Sequence, residues 1–529
     1  MMSRKKYSII LSLVDFLYSC FLLAVPVLTS NLVNIAVDAS KLEQPNLMPL
    51  VWNIVGVCIA IVMDILLYML EGFLYFRFSL KREKEIKEDL FYMIFQNEYT
   101  QVTSYHTAQI EQLFTTDINH VIRKELETIP DFVRQATRLI LAIGIVVYLD
   151  VWFLVLILSC GILGFGLAKL YSKLIRPHHH KVLESEGKFN GYILESIAQM
   201  KLIQAYDATA YSNSHFDVLN KNQIETKKKR NRILFVANSG FFGFSNIIYL
   251  FALCYGAYGI SVQLLTYGSM IALVQLLNNI QMPLISFSSL WNQYNLAQAS
   301  KKRIQEVYLL NKEENESLPN DFDSIVFEHV SFAYHEEPVI KDFTFEIKKE
   351  EIVLFQGPSG IGKTTVFMLL MGFLKPDAGR IYMKYQNEEF PVSRKLFSYV
   401  PQENILFSGS IAENIYILTG KSKEEAIEAL KLTNIYDELL ELPEGLDTVL
   451  KERGSGLSLG QIQRIWIAIA LLSDRPILLL DEFSSALDSK NEEIIMSRLT
   501  ELHKTIIFIS HRSKEMENQR VIPFVEVQE

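Results

Sequence analysis

Cysteine is scarce in this chain: there are four, Cys20, Cys58, Cys160 and Cys254, each inside a long apolar run and none paired at metal-ligand spacing. They read as small hydrophobic side chains, which argues against a disulfide framework and against a zinc site. Basic residues are not in excess either. A net charge of −9 argues against a nucleic-acid partner, which asks for a basic surface. A third absence lies at the N-terminus, where Met1-Met2-Ser3-Arg4-Lys5-Lys6 precedes an apolar run. That start imitates a secretory leader, but no small-residue cleavage site follows and the run is long enough to span a bilayer. It reads as the cytoplasmic start of a retained helix.

What the chain has in abundance is apolar length. Half of its 529 residues are hydrophobic, yet 21% are charged. That mixture fits a membrane portion joined to a soluble portion, and the length suggests two or three domains. Six apolar segments lie near residues 8–29, 48–76, 131–149, 151–172, 233–258 and 260–285. Each reaches the roughly 20 residues that one crossing requires. The loop 30–48 carries one lysine, whereas segments 77–130 and 173–232 are rich in basic residues, including Arg77, Lys81, Arg82, Lys84 and Lys227-Lys228-Lys229-Arg230. By the positive-inside rule the long segments and both termini are expected in the cytoplasm.

Polar side chains within spans are expensive unless they face protein or water. Asp64 and Glu71 lie seven apart on one face of the second span, and Arg134 and Arg138 share a face of the third. Asn238 and Asn246 mark the fifth span; Gln275, Asn278 and Asn279 mark the sixth. Two readings stand. The first is a polar cavity for a substrate, with Asp64, Glu71, Arg138, Asn246, Gln275 and Asn279 as candidate contacts. The second is a set of interhelical hydrogen bonds.

Residues 1–300 are thus expected to form an α-helical six-span transmembrane domain, and residues 301–323 a polar linker. From 324 to 529 short strands alternate with helical stretches, an α/β pattern with a mainly parallel sheet. Between the apolar runs Ile352-Val353-Leu354-Phe355 and Val366-Phe367-Met368-Leu369-Leu370 sits Gly357-Pro358-Ser359-Gly360-Ile361-Gly362-Lys363-Thr364, with Thr365 next. A strand, a glycine-rich turn and a helix in that order is the setting of a phosphate-binding P-loop. The glycines let successive N–H groups close around phosphate oxygens, and the helix aims its positive end at the same place. Lys363 would reach the β and γ phosphates, and the Thr364 hydroxyl would hold Mg²⁺. This stretch predicts binding of a nucleoside triphosphate. Downstream, Ile477-Leu478-Leu479-Leu480-Asp481-Glu482 reads as a buried strand ending in two acids. Asp481 would hold Mg²⁺ through water, and Glu482 would polarise an attacking water as general base. A second buried run, Ile506-Ile507-Phe508-Ile509-Ser510, ends at His511, a candidate γ-phosphate contact.

Taken in order, these motifs resemble the ATP-binding cassette (ABC) transporters, specifically exporter half-transporters with six spans fused ahead of one cassette. Tyr334 matches the aromatic that stacks on adenine, and Gln402 in Tyr399-Val400-Pro401-Gln402 matches the Q-loop glutamine that senses Mg²⁺. Residues 406–415 resemble an exporter cassette stretch, and Lys451-Glu452-Arg453-Gly454 the exporter X-loop. Leu457-Ser458-Leu459-Gly460-Gln461 fills the signature place, Ser485-Ala486-Leu487-Asp488 the D-loop, and His511 the switch histidine. Residues 108–117 and 193–201 resemble, more loosely, segments beside the two coupling helices.

The resemblance implies ATP and Mg²⁺ as ligands and catalytic roles for Glu482, His511 and Gln402. It implies ATP contacts from Tyr334, from residues 357–365 and from Ser458, Gly460 and Gln461. In the family the signature serine of one cassette completes the ATP site of the other. A second half-transporter is therefore implied, as homodimer or as heterodimer with a related chain. The expected setting is a bacterial plasma membrane, multi-pass, with the cassette cytoplasmic and a substrate exported by alternating access. A peptide or small amphiphile is expected as substrate. Multidrug or lipid export, or a non-transporting ATP-dependent regulator or self-immunity protein, are the alternatives. Three departures stand out: Leu459 where the family has glycine, Ile469 where it has arginine, and a cassette that looks C-terminally short after His511, lacking the usual closing strands and helices. Ser458 and Gly460 remain, so function is expected at an altered rate, and with Glu482 and His511 both present ATP turnover rather than binding alone is expected.

Overall fold

The computed structural model describes residues 2–44, 46–105, 107–312, 318–334, 337–358, 360–403, 405–451, 454, 456–510 and 519–524. They fall into two units, Met1–Met93 with Thr107–Leu309, and Ile94–His106 with Leu310–Glu529.

The first unit is helical: α1 (Met2–Ala39), α2 (Met48–Gln96), α3 (Thr107–Leu149), α4 (Val151–Ala198), α5 (Thr209–Ser261) and α6 (Tyr267–Tyr308). In hydrocarbon every backbone N–H and C=O must find its partner within the segment, so long apolar runs become helices. Five of them, α1, α2, α3, α5 and α6, are long and apolar enough to cross a membrane among the described residues. The fourth expected span lies in α4. Helices α2 to α6 hold 42 to 53 residues, about 60–80 Å at the usual rise per residue. That is roughly twice the hydrocarbon thickness, so the basic excursions continue the spans as single helices. Asp150 ends α3 and starts α4: one carboxylate oxygen accepts the Phe153 N–H at 2.9 Å, and the other accepts the Tyr255 hydroxyl at 3.0 Å. Around it Leu23, Ala142, Val146, Phe153, Ile248 and Leu276 pack as a buried apolar cluster.

The second unit holds two large sheets and a small two-stranded one among its described residues, where the sequence pattern predicted a single sheet. Strands β1 (Ser324–Tyr334), β2 (Glu337–Lys348), β3 (Ile352–Gln356), β4 (Ala378–Tyr385), β5 (Glu388–Pro391) and β6 (Phe397–Val400) come first. Then come β7 (Gly409–Ser410), β8 (Val449–Leu450), β9 (Ile477–Asp481), β10 (Thr505–Ile509) and β11 (Arg520–Pro523). An antiparallel sheet runs β2-β1-β4-β5 and a parallel one β11-β3-β10-β9-β6, while β7 pairs with β8 in the small one. Alternation explains the difference. Strand β1 turns Ile325, Phe327, Val330 and Phe332 inward and leaves intervening residues half-exposed, as a one-sided antiparallel strand does. Strands β9 and β10 are buried at every position, as parallel strands covered on both faces are. The core lies between the sheets, where the Phe345 and Phe355 rings meet edge-on at 5.6 Å.

Two expectations are corrected. A closing strand is present after all: β11 pairs in parallel with β3, Ile522 opposite Phe355, and Phe524 packs its ring on Phe343 and Phe355. Apolar Val521 and Ile522 find in β3 an edge to extend. Residues 94–106, assigned by sequence to the membrane portion, belong with the second unit. The Tyr99 ring lies 4.8 Å from Phe373, Lys375 pairs with Glu98 at 2.8 Å, and the Glu98 N–H donates to the Asn311 carbonyl at 2.9 Å.

Candidate nucleotide site

Strand β3 runs into the glycine loop, and helix α7 (Lys363–Leu370) leaves it. Gly360 and Gly362 sit at φ +83° and +103°, backbone that L side chains avoid. A Cβ at 362 would also stand 2.6 Å from Val339 Cγ1. The loop therefore keeps its curvature only with glycine, and it leads directly into the first turn of α7. Lys363 is almost fully buried, and its ammonium donates to the carbonyls of Gly357 at 2.8 Å and Pro358 at 2.7 Å. Burial holds its pKa below the usual lysine value, against the pull of Glu482 and Asp481. Thr365 is buried in the same helix, and Ile361 lies within the loop. Ser359 lies outside the described residues.

The acids arrive from β9. Asp481, fully buried, accepts the Thr364 hydroxyl at 3.4 Å on one oxygen and the Tyr399 hydroxyl at 3.5 Å on the other. Both bonds are long. Burial pushes the Asp481 carboxyl up to about 6; Glu482 adds to the rise, while Thr364, Tyr399 and Lys363 oppose it. Glu482 then leaves the strand at φ +47°, a left-handed conformation unusual for a residue with a Cβ. Its N–H donates to the Ile509 carbonyl at 3.1 Å, its carbonyl accepts the Ser485 N–H at 3.1 Å, and its carboxylate accepts Gln402 Nε2 at 2.9 Å. The fold thus gathers Lys363, Thr364, Asp481, Glu482 and Gln402 into one cluster. Tyr399 joins them without having been expected. No sequence signal marked it, because it reaches Asp481 only through the parallel pairing of β6 with β9. Register sets Ile509 of β10 opposite Asp481, while His511, two residues on, lies outside the described residues, as do Glu452 and Arg453.

The signature residues stand apart. Ser458 caps helix α8 (Leu459–Leu472): its hydroxyl accepts the Gln461 N–H at 3.2 Å, and Gln461 Oε1 accepts the Ser458 N–H at 2.9 Å. Gln461 Nε2 donates to Glu438 at 3.0 Å, and Arg464 grips the same carboxylate with two bonds of 2.7 and 2.9 Å. A Cβ at Gly460 would stand 2.8 Å from the Ala486 carbonyl oxygen, so the D-loop's own packing demands glycine there. Leu459 faces solvent, while Ile469 is buried in the apolar cluster of α8, a packing contact where an arginine would leave its charge buried. Among the described residues no hydrogen bond joins Ser458, Gly460 or Gln461 to the glycine loop. Tyr334 stands half-exposed at the end of β1, its ring edge-on to Phe332 at 5.0 Å.

Against known proteins, the family profile of the ABC transporter transmembrane region matches residues 8–284, over half of the chain, and that of the ABC transporter matches residues 340–485. The chain belongs to the ABC transporter family. A probable ABC transporter ATP-binding/permease protein of Haemophilus influenzae is 31% identical over 82% of this chain and 80% of its own length. An ABC transporter ATP-binding protein of Mycoplasma pneumoniae is 32% identical over 67% of this chain. There the match spans 58% of the relative's own length. The fold is shared with a bacterial Atm1-family ABC exporter solved with ATP bound, at a TM-score of 0.82, 21% identity, 99% of this chain and 93% of that one.

An ABC cassette implies Mg²⁺, and the residues fit that ion. Among the described residues no group of three or more His, Cys, Asp or Glu side chains converges to cage a metal. Mg²⁺ does not ask for one, since it keeps waters and takes substrate phosphates as ligands. What it needs is one hydroxyl beside one carboxylate, and Thr364 and Asp481 supply that pair. The long bonds to Asp481 leave its buried carboxyl poorly compensated, a deficit that a cation would remedy.

Of the candidate substrate contacts of this ABC transporter, Asp64, Glu71 and Arg138 lie within electrostatic reach of Tyr18, while Asn246, Gln275 and Asn279 bond elsewhere. Glu71 receives Arg134 at 3.0 Å, in a cluster with Asp131 and the fully buried Asp15, which lies 3.4 Å from the same guanidinium. Arg138 lies over the Tyr18 ring at 5.6 Å, and one oxygen of Asp64 is buried without a partner. Gln275 accepts the Thr29 hydroxyl at 3.2 Å, whereas Asn279 and Asn246 donate to carbonyls of their own helices at 3.3 and 2.8 Å. Asp15 and Thr29, both missed, lay inside the first span with nothing local to mark their partners.

Proposed function

We propose that this chain is one half of an ATP-driven exporter that works as a dimer. The observation that carries the reading is the Gln402–Glu482 bond at 2.9 Å beside the Thr364–Asp481 pair, in a chain that also holds a multi-span helical unit. In this reading the loop N–H groups and Lys363 bind the β and γ phosphates, with Lys363 exchanging its carbonyl partners for phosphate oxygens. Tyr334 stacks on the base. Mg²⁺, held by Thr364 and Asp481, would neutralise phosphate charge. Glu482 orients and deprotonates the attacking water, Gln402 holds its carboxylate, and His511 contacts the γ-phosphate. Ser458 and Gly460 meet the phosphate bound by a second cassette, which is supported by their lying at the positive end of α8 without a hydrogen bond to this chain's own loop among the described residues.

Closing and opening of the cassette pair would then drive the membrane helices between inward- and outward-facing forms. The cassette and both termini face the cytoplasm of a bacterial plasma membrane. The cargo is a peptide or small amphiphile, a reading supported only by the mixed polar and apolar character of the spans. The test is phosphate release by the chain alone in lipid nanodiscs. Turnover that Glu482→Gln lowers at least about a hundredfold is the expected result for a homodimer. A folded but inert chain would overturn self-sufficiency and call for a related second half.

A further inference from the structure

Glu482 is held in a left-handed conformation at φ +47°, which residues with a Cβ seldom adopt. Something must hold it there, because the backbone direction decides where its carboxylate points. The N–H is bonded to the end of β10 and the carbonyl to the Ser485 N–H, both at 3.1 Å. The carbonyl has a second donor: Gln463 Nε2 at 3.2 Å. The other end of the same amide, Gln463 Oε1, accepts the Ala486 N–H at 3.1 Å. Gln463 is fully buried, among the apolar residues of α8, so bulk solvent does not compete for either bond. Three residues on, Trp466 Nε1 donates to the Ile405 carbonyl at 3.1 Å, just beyond the Q-loop.

We propose that Gln463 is a positioning residue for hydrolysis: its side-chain amide spans Glu482 and Ala486, and so fixes the turn that aims the Glu482 carboxylate. It does not touch nucleotide. It acts through Glu482, carrying the position of α8, whose N-terminus holds Ser458, to the base. A misplacement of about an ångström in a reacting group is enough to lose roughly a hundredfold in rate. The inference rests on the hydrolytic reading above, and its test separates the two.

In the full chain in nanodiscs, Gln463→Met keeps the volume and removes both bonds. The expected result is a kcat lowered roughly ten- to a hundredfold, with ATP affinity unchanged, only a small fall in thermal midpoint from the two lost bonds, and faster amide hydrogen exchange over residues 482–488. Gln463→Glu keeps an acceptor for the Ala486 N–H but loses the donor to Glu482, and should still lower kcat. Combined with Glu482→Gln, Gln463→Met should lower turnover no further. Unchanged kcat, or a loss shared equally by affinity, midpoint and kcat, would overturn the inference. If the unaltered chain is inert while Gln463→Met still speeds exchange at 482–488, the hydrolytic reading fails and the assigned role with it, though the loop contact stands.

Discussion

In α2 the residues from Val51 to Leu70 are apolar apart from Asn53 and Asp64, and only 11% of its most apolar stretch is buried. In β9 the run from Ile477 to Leu480 is just as apolar, and every side chain is buried. The same composition faces outward in one unit and inward in the other. Length decides which. Helix α2 completes its backbone bonds internally and is long enough to cross hydrocarbon, so lipid serves as its apolar surroundings. Strand β9 is five residues long and gives its backbone bonds to β6 and β10, so only protein packed on both faces can shelter it.

Four substitutions break or sharpen that comparison. The largest loss is expected from Arg134→Ala, which strands Asp15, Glu71 and Asp131 together without their cation. Removing one member of a buried ion cluster costs about 3–5 kcal/mol, to be read as a lowered thermal midpoint in nanodiscs. A small loss would mean that the three acids relieve one another by taking up protons. Next comes Leu479→Ala in β9, with a cavity cost of about 2–5 kcal/mol, measured by chemical unfolding of the cassette. Ser458→Ala removes a helix cap worth about 0.5–2 kcal/mol. A fall in ATP turnover beyond what the altered stability explains would show that the hydroxyl also meets phosphate. The smallest effect belongs to Leu66→Ala on α2, at or below about 1 kcal/mol, since lipid tails replace what is lost. A loss as large as that of Leu479→Ala would show this face covered by protein in the assembled transporter.

The nucleotide site was legible because its chemistry is local. Residues 357–364 needed only a strand before them and a helix after, and Asp481-Glu482 only an unbroken apolar run that had to stop. Partners that come from distant elements were not legible. Tyr399 meets Asp481 because β6 lies beside β9, and Gln463 meets Glu482 because α8 packs against the parallel sheet, with Ile467 and Ala470 beside Val400, Leu478 and Leu480. Neither neighbour is written in the spacing of either residue. The antiparallel sheet was likewise folded into a single expected sheet, since alternating strands such as β1 and buried ones such as β9 were read together.

The amino-acid order alone determined that long apolar runs become membrane helices, that a glycine-rich loop opens a helix at residue 363, and that acids end a buried strand at 481 and 482. Each follows from backbone hydrogen bonding and burial over a few consecutive residues. Only the tertiary structure decided that Arg134 gathers acids from three helices, and that residues 94–106 belong with the cassette unit. It also decided that the glycine at 460 answers to Ala486. These outcomes depend on which surfaces meet across hundreds of residues, and the energy that selects them arises only once the chain has closed on itself.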